Sequence, residues 1–269
     1  WADDGRKTEE ISYKDGIKNG PYLFWNPDNY KTIEGQYVNG EKHSTWTLWY
    51  DDGVLRSKEN YSNGEMDGIW SWWRPDGTKD REGNYKNGVK HGLWVTWNNA
   101  DHKKGEETYV NGVLDGLVTV WHDNGNKDRE GIIRGNEPEG SWTYYFADGS
   151  EDFRFDYGAG LDRVRIAELE ERDGTFYKIG KHKPYTGIVV ESGGLKDYLL
   201  LGRFQAGKRD GQWVQWYRNG QKEVEGVYYR GKKHGNWTLW YEDGTLKEKG
   251  IFEMGVADGN YQYWYPNGH

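Results

Sequence analysis

Seven histidines and 44 acidic residues give this chain enough ionisable groups for metal binding or acid–base work. Their spacing decides whether they do either. His43, His91 and His234 share one column of a 24-residue pattern, beside the Gly92-type position, and Asp67, Asp115, Glu139 and Asp210 occupy that column elsewhere. A position that accepts His, Asp and Glu alike reads as a polar rim beside a turn. His102 and His122 have no partner His at the spacing of a zinc site. Asp123-Asn124-Gly125-Asn126 is like the start of a calcium loop but lacks the Glu at the twelfth position. Carboxylate pairs such as Glu106-Glu107 arise by chance in so acidic a chain. There is no Gly-x-Ser-x-Gly, Walker or dinucleotide pattern. The absence of Cys removes disulfides, thiol catalysis and Cys–zinc sites together. The expectation is a non-enzymatic protein with no catalytic residue, no metal and no cofactor.

The 24-residue pattern itself is the dominant feature. Tyr37, Tyr61, Tyr85, Tyr109, Ile133, Phe204, Tyr228 and Phe252 form one column. Trp46, Trp70, Trp94, Val118, Trp142, Trp213, Trp237 and Tyr261 form a second. A third holds Trp25, Trp49, Trp73, Trp97, Trp121, Tyr145, Trp216, Trp240 and Trp264. Of the 16 Trp, only Trp1 and Trp72 lie outside these columns, so tryptophan belongs to the repeat rather than to one active site. Only 34% of the chain is apolar, which would suggest disorder, but 16% is aromatic and glycine turns recur regularly. Aromatic stacking between neighbouring repeats reconciles the two. The net charge of −8, with both signs interspersed, disfavours nucleic acid and anionic membrane surfaces. No apolar run reaches transmembrane length. The lack of Cys and of an initiating Met leans towards a secreted or cell-envelope setting.

Each copy carries two turn signals. Asn39-Gly40, Asn63-Gly64, Asn87-Gly88 and Asn111-Gly112 mark one; Asp52-Gly53, Asp76-Gly77, Asn124-Gly125 and Asp148-Gly149 mark the other. Both read as two-residue type I′ hairpins. The first then pairs Val38 with Glu41, Tyr37 with Lys42, Gly35 with Ser44 and Ile33 with Trp46. In most copies the third pair becomes glycine against glycine, as Gly83 with Gly92, covered by the flanking Tyr and Trp rings. The second pairs Trp46 with Glu59 and Trp49 with Arg56. The Tyr37 and Trp46 columns fall on one face and the Trp49 column on the other. The expected fold is all-β, an elongated single-layer antiparallel meander of about ten hairpin repeats and roughly 18–20 strands, some 85–95 Å long before twist. Residues 1–160 form a first array, opening on a degenerate copy at Ile11–Trp25. Residues 161–269 form a divergent lead-in and a second array. In the lead-in, Asp173-Gly174 centres a hairpin, Val164–Leu169 suits a short helix or a strand, with strand preferred, and Gly187 re-enters the register.

The segments Glu34-Gly35-Gln36-Tyr37-Val38-Asn39-Gly40 and Glu82-Gly83-Asn84-Tyr85-Lys86-Asn87-Gly88-Val89-Lys90-His91-Gly92 resemble the MORN repeat. Trp46, Trp70 and Trp94 replace that family's last Gly. With the following Trp49-Tyr50, Trp216-Tyr217 and Trp240-Tyr241, this is similar to the MORN-variant repeat of bacterial YwqK-type antitoxins. Glu171-Arg172-Asp173-Gly174 to Pro184-Tyr185-Thr186-Gly187 looks like the lead-in of that group. The resemblance implies a β-meander and a binding or scaffolding role.

The candidate partner-binding residues are Trp49, Trp73, Trp97, Trp121, Tyr145, Trp216, Trp240 and Trp264. Their face also carries Glu34, Lys58, Glu82, Glu106 and Glu130, with Thr47, Ser71, Thr119 and Thr143. A row of indoles on an acidic, polar face suits a protein partner, toxin-like if the resemblance extends that far. The alternatives are a glycan stacked on exposed Trp, or a purely structural ladder. Open end strands allow end-to-end or edge-strand association.

Overall fold

The computed structural model describes residues 5–158, 160–191 and 199–266. Trp1, Tyr198, Asn267 and Gly268 lie outside them. The chain is almost entirely β, in antiparallel meanders that do not close into a barrel. It divides into two compact units, Trp1–Arg154 and Phe155–His269. Sequential strands from Glu9–Lys14 to Glu151–Asp156 form one 14-stranded sheet. A 9-stranded sheet follows, from Arg163–Val164 to Gln262–Tyr263, together with a separate hairpin, Leu169–Arg172 with Thr175–Lys178. Among the described residues there are 25 strands, more than the repeat count implies, because several are two-residue pieces such as Glu65–Met66 and Val256–Ala257.

The Asn-Gly turns are type I′: φ is 51° at Asn39 and 89° at Gly40. Each also ties one repeat to the one before. Gly40 N–H donates to the Lys18 carbonyl at 2.8 Å, Gly64 to Lys42 at 2.9 Å and Gly88 to Met66 at 2.8 Å. The Asp-Gly turns are not two-residue hairpins. Tyr50 N–H donates to the Val54 carbonyl and Gly53 N–H to the Tyr50 carbonyl, at 2.8 and 2.9 Å, and Gly53 takes a positive φ of 86°. That is a three-residue loop, a type I turn closed by a glycine bulge. Asp52 Oδ1 accepts the Val54 N–H at 3.0 Å and fixes it. The extra residue moves Trp49 opposite Leu55 rather than Arg56, while Trp46 does pair with Glu59.

The glycine pairs expected from the sequence do not form. Tyr37 pairs with Lys42 and Gln36 with His43, but Glu34 then pairs with Thr47, so Gly35 spans the three residues Ser44, Thr45 and Trp46. The same slip sets Gly83 opposite Trp94 and Gly202 opposite Trp213. It is a β-bulge, and it aims the indole at the glycine. A Cβ on Gly35, Gly83, Gly131, Gly202 or Gly226 would overlap the ring of Trp46, Trp94, Trp142, Trp213 or Trp237. The indole N–H then donates to the carbonyl of the residue after the glycine: Trp46 to Gln36 at 3.2 Å, Trp94 to Asn84 at 3.1 Å, Trp142 to Ile132 at 3.0 Å and Trp237 to Val227 at 3.0 Å. A carbonyl at a break in the ladder is thereby satisfied. The second glycine has a different task. Nothing lies within 4 Å of a Cβ on Gly92, but its φ is +76°, and Ser44 holds the same position at 59°. The bulge needs a left-handed residue there.

Within each unit the rings form a ladder on one face, largely edge-to-face, with Val118 and Ile133 standing in for rings in the first. Tyr37 to Trp46, Tyr85 to Trp94 and Tyr228 to Trp237 are 5.0, 5.0 and 4.9 Å apart. Trp46 to Tyr61 and Trp70 to Tyr85, at 6.4 and 5.2 Å, join successive repeats. Trp72, outside the columns, stacks between Trp70 and Trp94. In the lead-in the expected strand over Val164–Leu169 is interrupted. Arg163–Val164 pairs parallel to Gly187–Glu191, and Ile166–Glu168 is a 3₁₀ turn. The Asp173-Gly174 hairpin forms and packs Phe176 on Phe204 at 4.9 Å. Gly187 pairs with Phe204 as Gly211 does with Tyr228, so the register does resume there.

The two glycine columns should respond differently. Gly83→Ala should destabilise by about 1–3 kcal/mol, because the Trp94 ring must move. Gly92→Ala should cost about 1 kcal/mol through its left-handed backbone, and Gly92→Asn less. Urea midpoints measure this. Equal damage from Gly92→Asn and Gly83→Ala would show that rings cover both sites.

Candidate functional site

On the opposite face, several Trp49-type rings are part of a three-residue unit. A lysine eighteen residues before the ring pairs with a glutamate three residues further on and lies over the ring. Lys31 Nζ is 2.5 Å from Glu34 Oε2 and 4.9 Å from the Trp49 ring. Lys79 is 2.8 Å from Glu82 and 4.8 Å from Trp97. Lys103–Glu106–Trp121 and Lys222–Glu225–Trp240 repeat the unit, with ring distances of 5.6 and 5.8 Å. In Lys127–Glu130–Tyr145 the tyrosine hydroxyl donates to Glu130 at 2.6 Å. Trp73 has no such lysine, because Leu55 stands in its place. The column of carboxylates is visible in the sequence. The lysines were missed because their partners are eighteen residues away.

These contacts change what the row offers. Trp49, Trp73, Trp97, Trp121, Tyr145, Trp240 and Trp264 are half-buried, and Trp216 is buried. A lysine stem lying over a ring shields it from water while its ammonium remains solvated. Exposed apolar groups on this face include Ile69, Leu93 and Leu117, at 56, 53 and 51%. Alternation from Ser71, Val95 and Thr119 places them beside the Trp row. They stand on every second strand, about 9.6 Å apart. Their 24-residue spacing, just before the Trp46 column, was the available sequence signal.

The position after several Trp49-type residues holds the next repeat. The hydroxyls of Tyr50, Tyr217 and Tyr241 donate to the carbonyls of Trp73, Trp240 and Trp264 at 2.8, 3.0 and 2.9 Å. Arg74 donates to the Trp97 carbonyl. His122 Nε2 lies 3.1 Å from the Tyr145 carbonyl and does the same. That column accepts Tyr, Arg and His because each can donate. His102 Nδ1 is 2.9 Å from the Asp123 carbonyl, and His91 Nδ1 accepts the Asn111 N–H at 3.4 Å. His234 Nδ1 lies 3.3 Å from Glu253 without hydrogen-bond alignment. Among the described residues no three His, Asp or Glu side chains gather to hold a metal ion. Asn124 Oδ1 accepts the Asn126 N–H at 3.0 Å, which makes Asp123–Asn126 a turn.

Residues 42–63, 66–87, 209–229 and 233–254 match the family described as MORN repeat variant. These segments are MORN repeat variants. The contact of a ring on a glycine also occurs outside the matched segments, where Trp142 covers Gly131. MORN repeats form a non-catalytic family and generally serve protein interaction and scaffolding. Comparison with curated proteins gives no match for this chain.

The charged units give the sheet a pH dependence. Hydrogen bonds from Lys127 and then Tyr145 hold the Glu130 carboxyl below its ordinary value of 4.5, against a smaller opposing effect of burial. A carboxyl lowered in the folded state stabilises above its unfolded value and loses that contribution as pH falls through the folded one. Glu130→Gln should therefore lower the melting temperature at neutral pH and flatten its decline towards about pH 3. An identical acid decline in variant and parent would show that the unit contributes nothing.

Proposed function

We propose that this chain is a non-enzymatic scaffold that binds a protein partner through the face carrying the Trp49 column. The observation that carries the reading is the exposed row Ile69, Leu93 and Leu117 beside half-buried indoles, rimmed by Lys–Glu pairs. An apolar centre with aromatic anchors and a charged rim is the anatomy of a protein interface. The resemblance to YwqK-type antitoxins supports a toxin-like protein as partner. A glycan would need open indole faces, and lysines lie over Trp49 and Trp97.

Co-purification identifies the partner, and calorimetric titration of variants then tests the face. Trp73→Ala and Trp97→Ala should weaken binding by roughly tenfold or more at a temperature where they remain folded. Trp70→Ala and Trp94→Ala, on the ladder face, should cost stability and leave affinity in the folded fraction unchanged. Equal loss from both pairs would reduce the effect to unfolding. Loss from the ladder pair alone would move the interface to the other face.

A further inference from the structure

The lead-in contains a cationic cleft that the repeat pattern does not explain. In a chain of net charge −8, the segment from Tyr177 to Thr186 carries Lys178, Lys181, His182 and Lys183 and no carboxylate. These side chains, with Asp162, Pro184, Tyr185 and Thr186, line a cleft of about 600 Å³, within the size range of small-molecule sites. The loop is held in place by its own backbone. Lys181 N–H donates to the Lys178 carbonyl at 2.9 Å and Gly180 N–H to Glu170 Oε1 at 3.2 Å. The Arg172 guanidinium donates to the Lys181 carbonyl, and Tyr185 N–H to the Phe176 carbonyl at 2.9 Å.

Lysines on the repeat face meet a carboxylate three residues on, as Lys79 meets Glu82. In the cleft only Lys178 has such a partner, Asp162 at 2.5 Å. Lys181, His182 and Lys183 are exposed and form no ion pair among the described residues. Like charges on one ordered loop repel, and an anion between them relieves the repulsion. Ammonium groups act as point charges suited to a compact dianion, whereas carboxylates favour the planar arginine fork. Pro184 and the buried Tyr185 add an apolar wall.

We propose that this cleft binds a small phosphate monoester, its phosphoryl group held by Lys181, His182 and Lys183 and its organic body against Pro184 and Tyr185. The test is titration of the whole chain with phenyl phosphate at fixed ionic strength, followed by backbone amide resonances, with inorganic phosphate and benzoate in parallel. Phenyl phosphate should give saturating shifts confined to residues 178–186, with Kd near ~1 mM or tighter and about tenfold below that of either comparison anion. Lys181→Glu with Lys183→Glu should weaken it at least about tenfold, whereas the same charge change at Lys86 and Lys104 should not. Lys183→Gln alone serves if the double variant does not fold, with a smaller loss expected. Shifts spread over all surface lysines, no saturation, or equal loss from the Lys86 and Lys104 control would overturn the site. Benzoate binding as tightly would overturn the phosphoryl class, and inorganic phosphate binding as tightly would overturn the organic wall.

Discussion

The contact between a tryptophan ring and a bare glycine, repeated through both units, sets nearly everything else in this protein. At Gly35, Gly83, Gly131, Gly202 and Gly226 the ring fills the space a side chain would take, so these positions must stay bare, whereas in one copy Trp70 bonds the Asn60 carbonyl beside Glu59 instead. The ladder must slip to bring the ring there, so a bulge and a left-handed residue follow. The indole N–H closes the account by bonding the carbonyl beside the glycine. Ring, glycine, bulge and hydrogen bond form one unit, and each part makes sense only with the others.

That unit also explains how so polar a chain folds. A strand pair with few aliphatic residues buries little by itself, but Trp46 is 2% exposed and Trp237 2% exposed. Neighbouring tyrosines close the ladder edge-on, and Lys42 and Lys90 lie over Trp46 and Trp94 at 4.4 and 4.2 Å. The opposite face uses the same solution, with Lys31 and Lys79 over Trp49 and Trp97. Cations above rings add ~0.5–1 kcal/mol each at exposed sites, while their stems exclude water. What remains uncovered is an aliphatic row on one face and a cationic loop in the lead-in.

Much of this was legible in the sequence. The 24-residue columns gave the repeat, the Asn-Gly turns their type, and the alternation the two faces, because each depends on residues close in the chain. The Gly83–Gly92 pairing was not legible. It assumed an unbroken ladder, and only the volume of Trp94 and the positive φ at Gly92 require a break. Asp52-Gly53 misled for a related reason: the dipeptide serves a two-residue and a three-residue loop equally, and the Asx bond to Val54 selects the longer. The Lys–Glu–Trp units were hidden because their members meet across a strand pair. Glu59 and Glu107 show the converse. They stand in the glycine column and hold the hydroxyls of Tyr61 and Tyr109 at 3.0 and 2.7 Å, a substitution no spacing rule anticipates.

The central claim is that glycine and tryptophan act as one unit, and a double-mutant cycle on Gly83→Ala and Trp94→Ala by urea denaturation tests it most directly. With the ring removed, the added methyl has nothing to displace. Gly83→Ala should then be nearly silent in the Trp94→Ala background, giving a coupling of about 1–3 kcal/mol. Additive costs would mean that Gly83 is required for its backbone alone, and that the ring does not set the register.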